Sequence, residues 1–182
     1  LNILSMDEVN NPVKRMWVIK SPQEYIDNVH QLENVASKFN SDLQFTTLDF
    51  TSMYDGIPHR ELIYELHAAV DLAANIAARK LRCNDLRKLR ILHSGKWSTT
   101  DQCKGGWTVK TLKDNITISV ENSYILYHGE TYRQTIGIGM GNNDGPGQAN
   151  LFLHMKERRY VNTMVETHSR EIIETKFFNF AY

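Results

Sequence analysis

Cysteine, net charge and long apolar runs are all scarce in this sequence. The two cysteines, Cys83 and Cys103, cannot form a disulfide framework, which favours a reducing compartment. No apolar run approaches the length of a membrane span, so we expect no membrane partner. The first residues lack an initiator Met and the basic-then-apolar order of a signal peptide. We therefore expect an excised piece of an intracellular protein, either nuclear or cytoplasmic.

Basic and acidic residues balance, with 21 of each, so the overall charge does not indicate a polyanion partner. Between residues 79 and 96, however, seven basic residues accompany one acid, Asp85. We favour a solvent-exposed helix face whose leucines turn inward, because charge runs are usually surface. Phosphate binding is the alternative interpretation. The basic residues are Arg79, Lys80, Arg82, Arg87, Lys88, Arg90 and Lys96, and the leucines are Leu81, Leu86, Leu89 and Leu92.

The chain is long enough for one compact domain, with 182 residues of which 41% are hydrophobic. We predict an α/β (α+β) fold, because segments with apolar residues every three or four positions are interspersed with short β-branched and aromatic segments. The predicted helices cover residues 21–39, 60–82, 108–122 and 148–168. The predicted strands cover residues 45–50, 123–128, 131–134 and 176–182, and an exposed loop or insertion covers 94–106.

Asp49 ends a predicted strand just before a tight turn into a helix. Phosphoryl-transfer enzymes commonly hold magnesium at such a carboxylate, and the Phe50 carbonyl is placed to serve as a further ligand. Tyr54, five positions later, is placed to pack under a sugar and exclude a 2′ hydroxyl. Two-metal catalysis needs carboxylates from at least two strand ends, so Asp49 alone is insufficient. The alternative is that Asp49 caps a turn and Tyr54 belongs to the core.

A glycine-rich segment covers residues 137–147, with five glycines and Pro146 in eleven residues. Such a backbone can approach a ligand closely or adopt positive φ. The segment fits neither the dinucleotide-binding fingerprint nor the Walker pattern. A mobile surface loop is therefore the alternative to a phosphate-binding turn.

Two long segments are informative when they are read together. Residues 48–59 are Leu-Asp-Phe-Thr-Ser-Met-Tyr-Asp-Gly-Ile-Pro-His. Residues 132–141 are Tyr-Arg-Gln-Thr-Ile-Gly-Ile-Gly-Met-Gly, followed by Asn143, Pro146 and Ala149-Asn150-Leu151-Phe152-Leu153. They resemble the first and second palm motifs of reverse transcriptases of the Penelope-like kind and related eukaryotic mobile elements. The resemblance extends from about Arg15 onward.

The resemblance implies one partial reverse transcriptase-like domain over residues 1–182, a palm with part of the fingers. Its antiparallel palm sheet would have helices packed on one face, and its partners would be an RNA template, a DNA primer and the rest of the polymerase or a larger complex. Asp49 would be the catalytic, metal-binding aspartate, and Asp49 with the Phe50 carbonyl would bind Mg²⁺. The implied nucleotide-binding residues are Tyr54, Gln134, Met140, Gly141 and Pro146. The implied nucleic-acid contacts are Arg133, Gly139, Asn143 and Asn150.

The sequence also departs from the family pattern. The third palm motif, with its two consecutive aspartates, is not in this sequence, and residues 177–182 resemble the strand that leads into it. Gly139 stands where the family commonly has proline, and Asn142 where it has threonine. We therefore expect RNA-templated DNA synthesis to be the family activity and this isolated chain to be inactive. The alternative is a non-catalytic, polymerase-derived module that binds RNA or assembles into a larger complex.

Overall fold

The computed structural model describes residues 21–39, 51–102, 105–139 and 141–167. These residues form a mixture of helices and small antiparallel sheets, in agreement with the predicted α+β class. The predicted strands 45–50 and 176–182 lie outside the described residues, so the palm sheet stays a prediction. The helices are α1 (Pro22–Phe39), α2 (Met53–Gly56), α3 (His59–Lys80), α4 (Val109–Glu121) and α5 (Gly145–Thr167). The strands are β1 (Leu89–Ile91), β2 (Trp97–Thr99), β3 (Tyr124–Tyr127) and β4 (Glu130–Arg133).

Helix α3 is central to the described fold, because it packs against both α4 and α5. Pro58 precedes the helix, at a position where a backbone N–H would have no partner within the helix, so proline loses no hydrogen bond there. The apolar residues recur at helical spacing and bury one stripe, which confirms the helix predicted over 60–82. The main apolar cluster joins α3 to α4, α5 and the two turns beside them, and it consists of Ile57, Leu62, Leu66, Val120, Ile138, Ala149 and Phe152.

Polar contacts hold α4 against α3. The hydroxyl of Thr108 accepts a hydrogen bond from the backbone N–H of Thr111 and caps α4, as the predicted helix 108–122 requires. His67 on α3 lies with its Nε2 3.0 Å from the Lys113 carbonyl and 3.0 Å from the Thr117 hydroxyl. These contacts fix the register between the two helices.

A buried carboxylate joins α3 to α5. The side chain of Glu65 is fully buried, and Arg159 Nη2 donates a 2.8 Å hydrogen bond to its Oε2. Arg159 Nη1 lies 2.7 Å from Oε1 but out of line for a hydrogen bond, so that attraction is ionic. Lys156 lies 3.5 Å from Glu65 and also donates to Glu61. Breaking such a buried pair leaves an uncompensated charge in the interior.

The β1–β2 hairpin corrects the prediction made for residues 79–96. Helix α3 ends at Lys80, and Arg82 adopts a left-handed φ of 52° that no helix continues through. The chain then forms a 3₁₀ turn over Leu86–Lys88 and enters β1. A continuous helix face was therefore the wrong interpretation, although the basic side chains are largely exposed as expected. Strand β2 lies within 94–106, so that segment is half of a hairpin rather than only a loop.

The β3–β4 hairpin is present as predicted over 123–134. Its two-residue turn is His128-Gly129 rather than the expected 129–130, with φ of 51° and 83°. Positive φ at both positions is the type I′ geometry that matches the strand twist. All eight strand residues are exposed, so neither face of this hairpin is covered.

Helix α1 confirms the helix predicted over 21–39 and is capped by Ser21, whose hydroxyl accepts a hydrogen bond from the Glu24 N–H at 3.2 Å. Its predicted apolar stripe is only partly covered, since Tyr25 and Ile26 are exposed while Val29 is half-buried. Among the helices described here, none combines the length and the apolar character that crossing a membrane would need.

Candidate functional site

The two segments that resemble palm motifs meet in space, and we call this meeting the motif junction, residues 54–59 with 136–139. The Gly137 N–H donates to the Ile57 carbonyl at 2.7 Å, and the Ile138 N–H donates to the Tyr54 carbonyl at 2.6 Å. Pro58 and Ile136 form an antiparallel bridge next to the bond between Gly137 and Ile57. The junction is therefore made mainly by backbone groups, which no side-chain substitution removes directly.

His59 adds a side-chain contact to the junction. Its Nε2 lies 2.9 Å from the carbonyl oxygen of Gly137, although 78 residues separate the two. A carbonyl only accepts, so Nε2 is the donor in this hydrogen bond. Sequence reasoning gave His59 no role, and the Ile-Pro-His end of the first motif was the available signal.

Gly137 is required at the junction for two reasons. Its φ is +85°, a conformation that other residues adopt at a cost. A Cβ at this position would lie 2.4 Å from the Tyr54 carbonyl oxygen and 3.0 Å from the Asp55 Cα. The close approach of the two motifs therefore depends on the absence of a side chain here.

Tyr54 is half-buried and packs against the main apolar cluster. Its carbonyl is engaged by Ile138, which fixes the backbone from which the ring projects. The preceding Ser52 has a left-handed φ of 61°, an uncommon conformation for a residue with a side chain. Tyr54 therefore packs against the core, as the alternative interpretation expects, and its carbonyl contacts the glycine-rich segment. Its packing under a sugar stays a prediction.

Gln134 connects the β3–β4 hairpin to the junction. Its backbone N–H donates to the Ser123 carbonyl at 2.8 Å, and its Nε2 donates to the Ile136 carbonyl at 2.9 Å. The Ser123 hydroxyl in turn donates to Gln134 Oε1 at 3.2 Å. Gln134 therefore orients the segment that enters the glycine-rich turn, and Ser123 is a participant that sequence reasoning missed.

The two departures from the family pattern, Gly139 and Asn142, are in contact. A Cβ on Gly139 would meet the Asn142 amide nitrogen and the Ser123 hydroxyl, each at 2.8 Å. The Asn142 N–H also donates to the Gly139 carbonyl at 3.1 Å. The space that a larger residue would take at position 139 is thus filled by the side chain of Asn142.

Helix α5 begins at Gly145, three residues earlier than the predicted start at residue 148. Pro146 therefore lies inside its first turn, where proline is tolerated because its missing N–H has no intrahelical partner. Asp144, just before the helix, accepts hydrogen bonds from the Ser119 hydroxyl at 2.6 Å and from Gln148 Nε2 at 2.7 Å. Gln148 and Asp144 thereby attach the start of α5 to α4.

The remaining predicted site residues are spread around this junction. Arg133 is exposed on β4, Gly141 and Asn143 are exposed in the turn before α5, and Asn150 is half-buried within α5. Asp49, Phe50 and Met140 lie outside the described residues. Over the part of the chain that the structure describes, no three His, Cys, Asp or Glu side chains are grouped so that they could hold a metal ion.

Helix α5 also carries two titratable side chains in low-polarity surroundings. His154 is 2% exposed, and burial, followed by the nearby Arg158 charge, lowers its pKa to about 4. Burial also raises the pKa of Glu157, a residue that extends the second motif. Neither group touches the motif junction in a described hydrogen bond.

In comparisons with known proteins, the chain matches no family model, no curated protein and no solved structure.

Proposed function

We propose that this chain is the palm and part of the fingers of a reverse transcriptase-like nucleotidyltransferase, which synthesises DNA on an RNA template by two-metal phosphoryl transfer. The observation that carries the proposal is the motif junction. The resemblance requires the strand ending at Asp49 to lie beside the glycine-rich bend. Tyr54 and Ile57, a few residues after Asp49, are hydrogen-bonded to that bend through Ile138 and Gly137.

Under this proposal Asp49 and the carbonyl of Phe50 hold Mg²⁺. Both supply oxygen, the ligand type that Mg²⁺ prefers. The bound ion would neutralise charge on the transferring phosphoryl group. One carboxylate does not complete a two-metal site, so we expect the isolated 182-residue chain not to extend a primer.

The chain's own residues position and select the nucleotide in this proposal. Tyr54 excludes a 2′ hydroxyl, and the hydrogen bond from Ile138 fixes the backbone that carries its ring. Gln134 aligns the chain that enters the glycine-rich turn. Met140, Gly141 and Pro146 border the incoming nucleotide, while Arg133, Gly139, Asn143 and Asn150 face the nucleic acid. Because Asn142 fills the space beside Gly139, the departure at position 139 leaves the turn packed.

Photo-labelling with azido analogues of dATP and ATP, with and without Mg²⁺, tests the nucleotide site in the full chain. We expect Mg²⁺-dependent labelling that favours the deoxyribose analogue. Tyr54→Ala reduces that preference by about tenfold, because the preference comes from excluding one hydroxyl. Asp49→Asn removes the Mg²⁺ dependence, because a neutral amide binds the ion weakly.

Two exposed residues on α1 provide matched controls. Tyr25→Ala and Asp27→Asn make the same chemical changes away from the junction, and both should label like the unmodified chain. Equal effects of Asp49→Asn and Asp27→Asn would overturn the proposed site. Equal labelling of the unmodified chain by the dATP and ATP analogues would also overturn it.

A non-catalytic module that assembles into a larger complex is the second candidate, and the β3–β4 hairpin favours it. Ile125, Leu126 and Tyr132 are all exposed there, with Leu126 at 76%. Large exposed apolar patches commonly mark protein interaction sites. Stable association of the chain with another polymerase segment, without any nucleotide labelling, would select this candidate over the enzyme.

A further inference from the structure

We propose that the solvent side of the β1–β2 hairpin binds the phosphodiester backbone of a nucleic acid without reading its base sequence. We call this surface the basic face and define it as Lys88, Arg90 and Lys96. It lies outside both motif segments and does not require the polymerase assignment.

Strand pairing places the three central cations on one side of the hairpin. Arg90 pairs with Ser98 in the ladder. Lys88 extends the ladder because its carbonyl accepts from the Thr100 N–H at 2.8 Å, and Lys96 extends it because its carbonyl accepts from the Leu92 N–H at 2.9 Å. Side chains alternate along a strand, so residues 88, 90 and 92 and their partners 100, 98 and 96 share one side.

The opposite side of the hairpin faces the protein interior. Leu89 projects there and is fully buried, whereas Lys88 and Lys96 are exposed. Ser98 and Thr100 add hydroxyl groups between the cations. The exposed side thus presents mainly positive charge, because the Ser98 hydroxyl already donates to Gln102 Oε1 at 3.4 Å. Lys and Arg side chains commonly contact phosphate oxygens.

Intramolecular contacts leave most of this positive charge available. Asp85, the acid within the cluster, is engaged by Arg87, with Nε 3.0 Å from Oδ1. Arg90 Nη1 donates to the carbonyls of Arg87 and Leu89, which holds its guanidinium in place without neutralising it. Among the described residues, no ion pair engages Arg82, Lys88, Arg90 or Lys96. The first acidic residue after β2 in the sequence is the exposed Asp101.

The composition of the basic face favours nucleic acid over a membrane surface. Its side chains are cations and hydroxyl groups, with the half-buried Leu92 among them, whereas Trp107 pairs with Ile91 and so shares the opposite side with Leu89. Cations of this kind bind phosphates without contacting the bases. A peripheral membrane helix would instead present a continuous apolar face beside its cations.

Fluorescence anisotropy of a labelled 20-nucleotide RNA of mixed sequence, titrated with the full chain at several salt concentrations, tests the proposal. The double variant Lys88→Gln with Lys96→Gln should raise Kd about tenfold near 0.1 M salt. It should also reduce the slope of log K against log salt by about one to two, because two phosphate contacts are lost. The double variant Lys88→Arg with Lys96→Arg should retain binding.

Lys38→Gln with Lys110→Gln is the matched control, because it removes two exposed charges elsewhere on the chain. An equal loss of RNA binding in this control would overturn the proposal, and so would an unchanged salt slope in the Lys88 and Lys96 variant. Binding to phosphatidylserine vesicles but not to RNA would assign the surface to a membrane and also overturn it.

Discussion

The β3–β4 hairpin and the motif junction are adjacent in the sequence, and each contains a glycine with positive φ. Gly129 has φ of +83° and nothing within 4 Å of where a Cβ would lie. Gly137 has φ of +85°, but the Tyr54 carbonyl lies 2.4 Å from its would-be Cβ. Gly129 is thus needed only for the positive φ of the hairpin turn, whereas Gly137 also leaves space for the carbonyl of Tyr54, which is distant in the sequence.

Gly137→Ala should give the largest loss of stability, and Gly129→Ala is its comparison. Both variants lose roughly 1–2 kcal/mol from the left-handed backbone. Gly137→Ala should lose a further 1–3 kcal/mol or so, because the new methyl group forces the two motif backbones apart. Urea denaturation of each variant measures the difference. Equal losses for Gly129→Ala and Gly137→Ala would mean that the junction is not closely packed.

Two isoleucines extend the comparison to side chains. Ile138 at the junction is 2% exposed, whereas Ile125 on β3 is 52% exposed. Ile138→Ala should reduce the free energy of unfolding by about 2–4 kcal/mol through lost burial and a cavity. Ile125→Ala should change it by about 0.5 kcal/mol or less. A large effect at Ile125 in the isolated chain would show that the hairpin is covered in solution, for example by a partner or a second copy.

Two histidines extend the comparison to pH. Burial holds the pKa of His154 at about 4, so below its ordinary value of 6.5 the unfolded chain binds a proton that the folded chain does not. Stability should therefore be undiminished above about pH 6.5 and fall as pH decreases towards 4, by up to about 3 kcal/mol. His154→Gln should flatten this dependence. His128→Asn in the exposed hairpin turn is the control, and an equal flattening there would contradict the assignment.

The smallest expected effect belongs to the residue that joins the two regions. Gln134→Ala removes the hydrogen bond from Nε2 to the Ile136 carbonyl and the one that Oε1 accepts from Ser123. Each is a neutral hydrogen bond in a partly exposed setting, so we expect a loss of about 1–2 kcal/mol. Hydrogen exchange at the Gly137 and Ile138 amides should increase more than exchange within α3. Unchanged exchange at these amides would show that the junction forms independently of the hairpin.

Much of the fold could be predicted because its signals are local. The periodicity of α3 and α4, the Ser21 cap and the β3–β4 hairpin each depend on residues close together in the chain. Residues 79–96 were misassigned because leucines spaced three apart also suit a short turn followed by a strand. The left-handed Arg82 and the Asp85 side chain, which accepts from the Arg87 N–H, end the helical pattern instead.

The candidate site could be predicted only in part. Both motif segments were singled out from their residues, but nothing local indicates that His59 contacts Gly137. That contact depends on how the start of α3 packs against the glycine-rich segment, which is a property of the whole core. The contact between Ser123 and Gln134 continues the β3–β4 ladder, so it follows once the register of the hairpin is known. The link between Gly139 and Asn142 was hidden for the same kind of reason, since the two positions only become complementary once the turn is formed.

Helix α3 separates the motif junction from the basic face. His59 at its first residue contacts the motif junction, and Lys80 at its last residue precedes the basic face. Its 22 residues form a rod about 33 Å long. A nucleic-acid duplex advances about 3.4 Å per base pair, so this rod matches roughly ten base pairs, about one helical turn. Under the two proposals above, a duplex that touched both ends of α3 would therefore have to be at least that long.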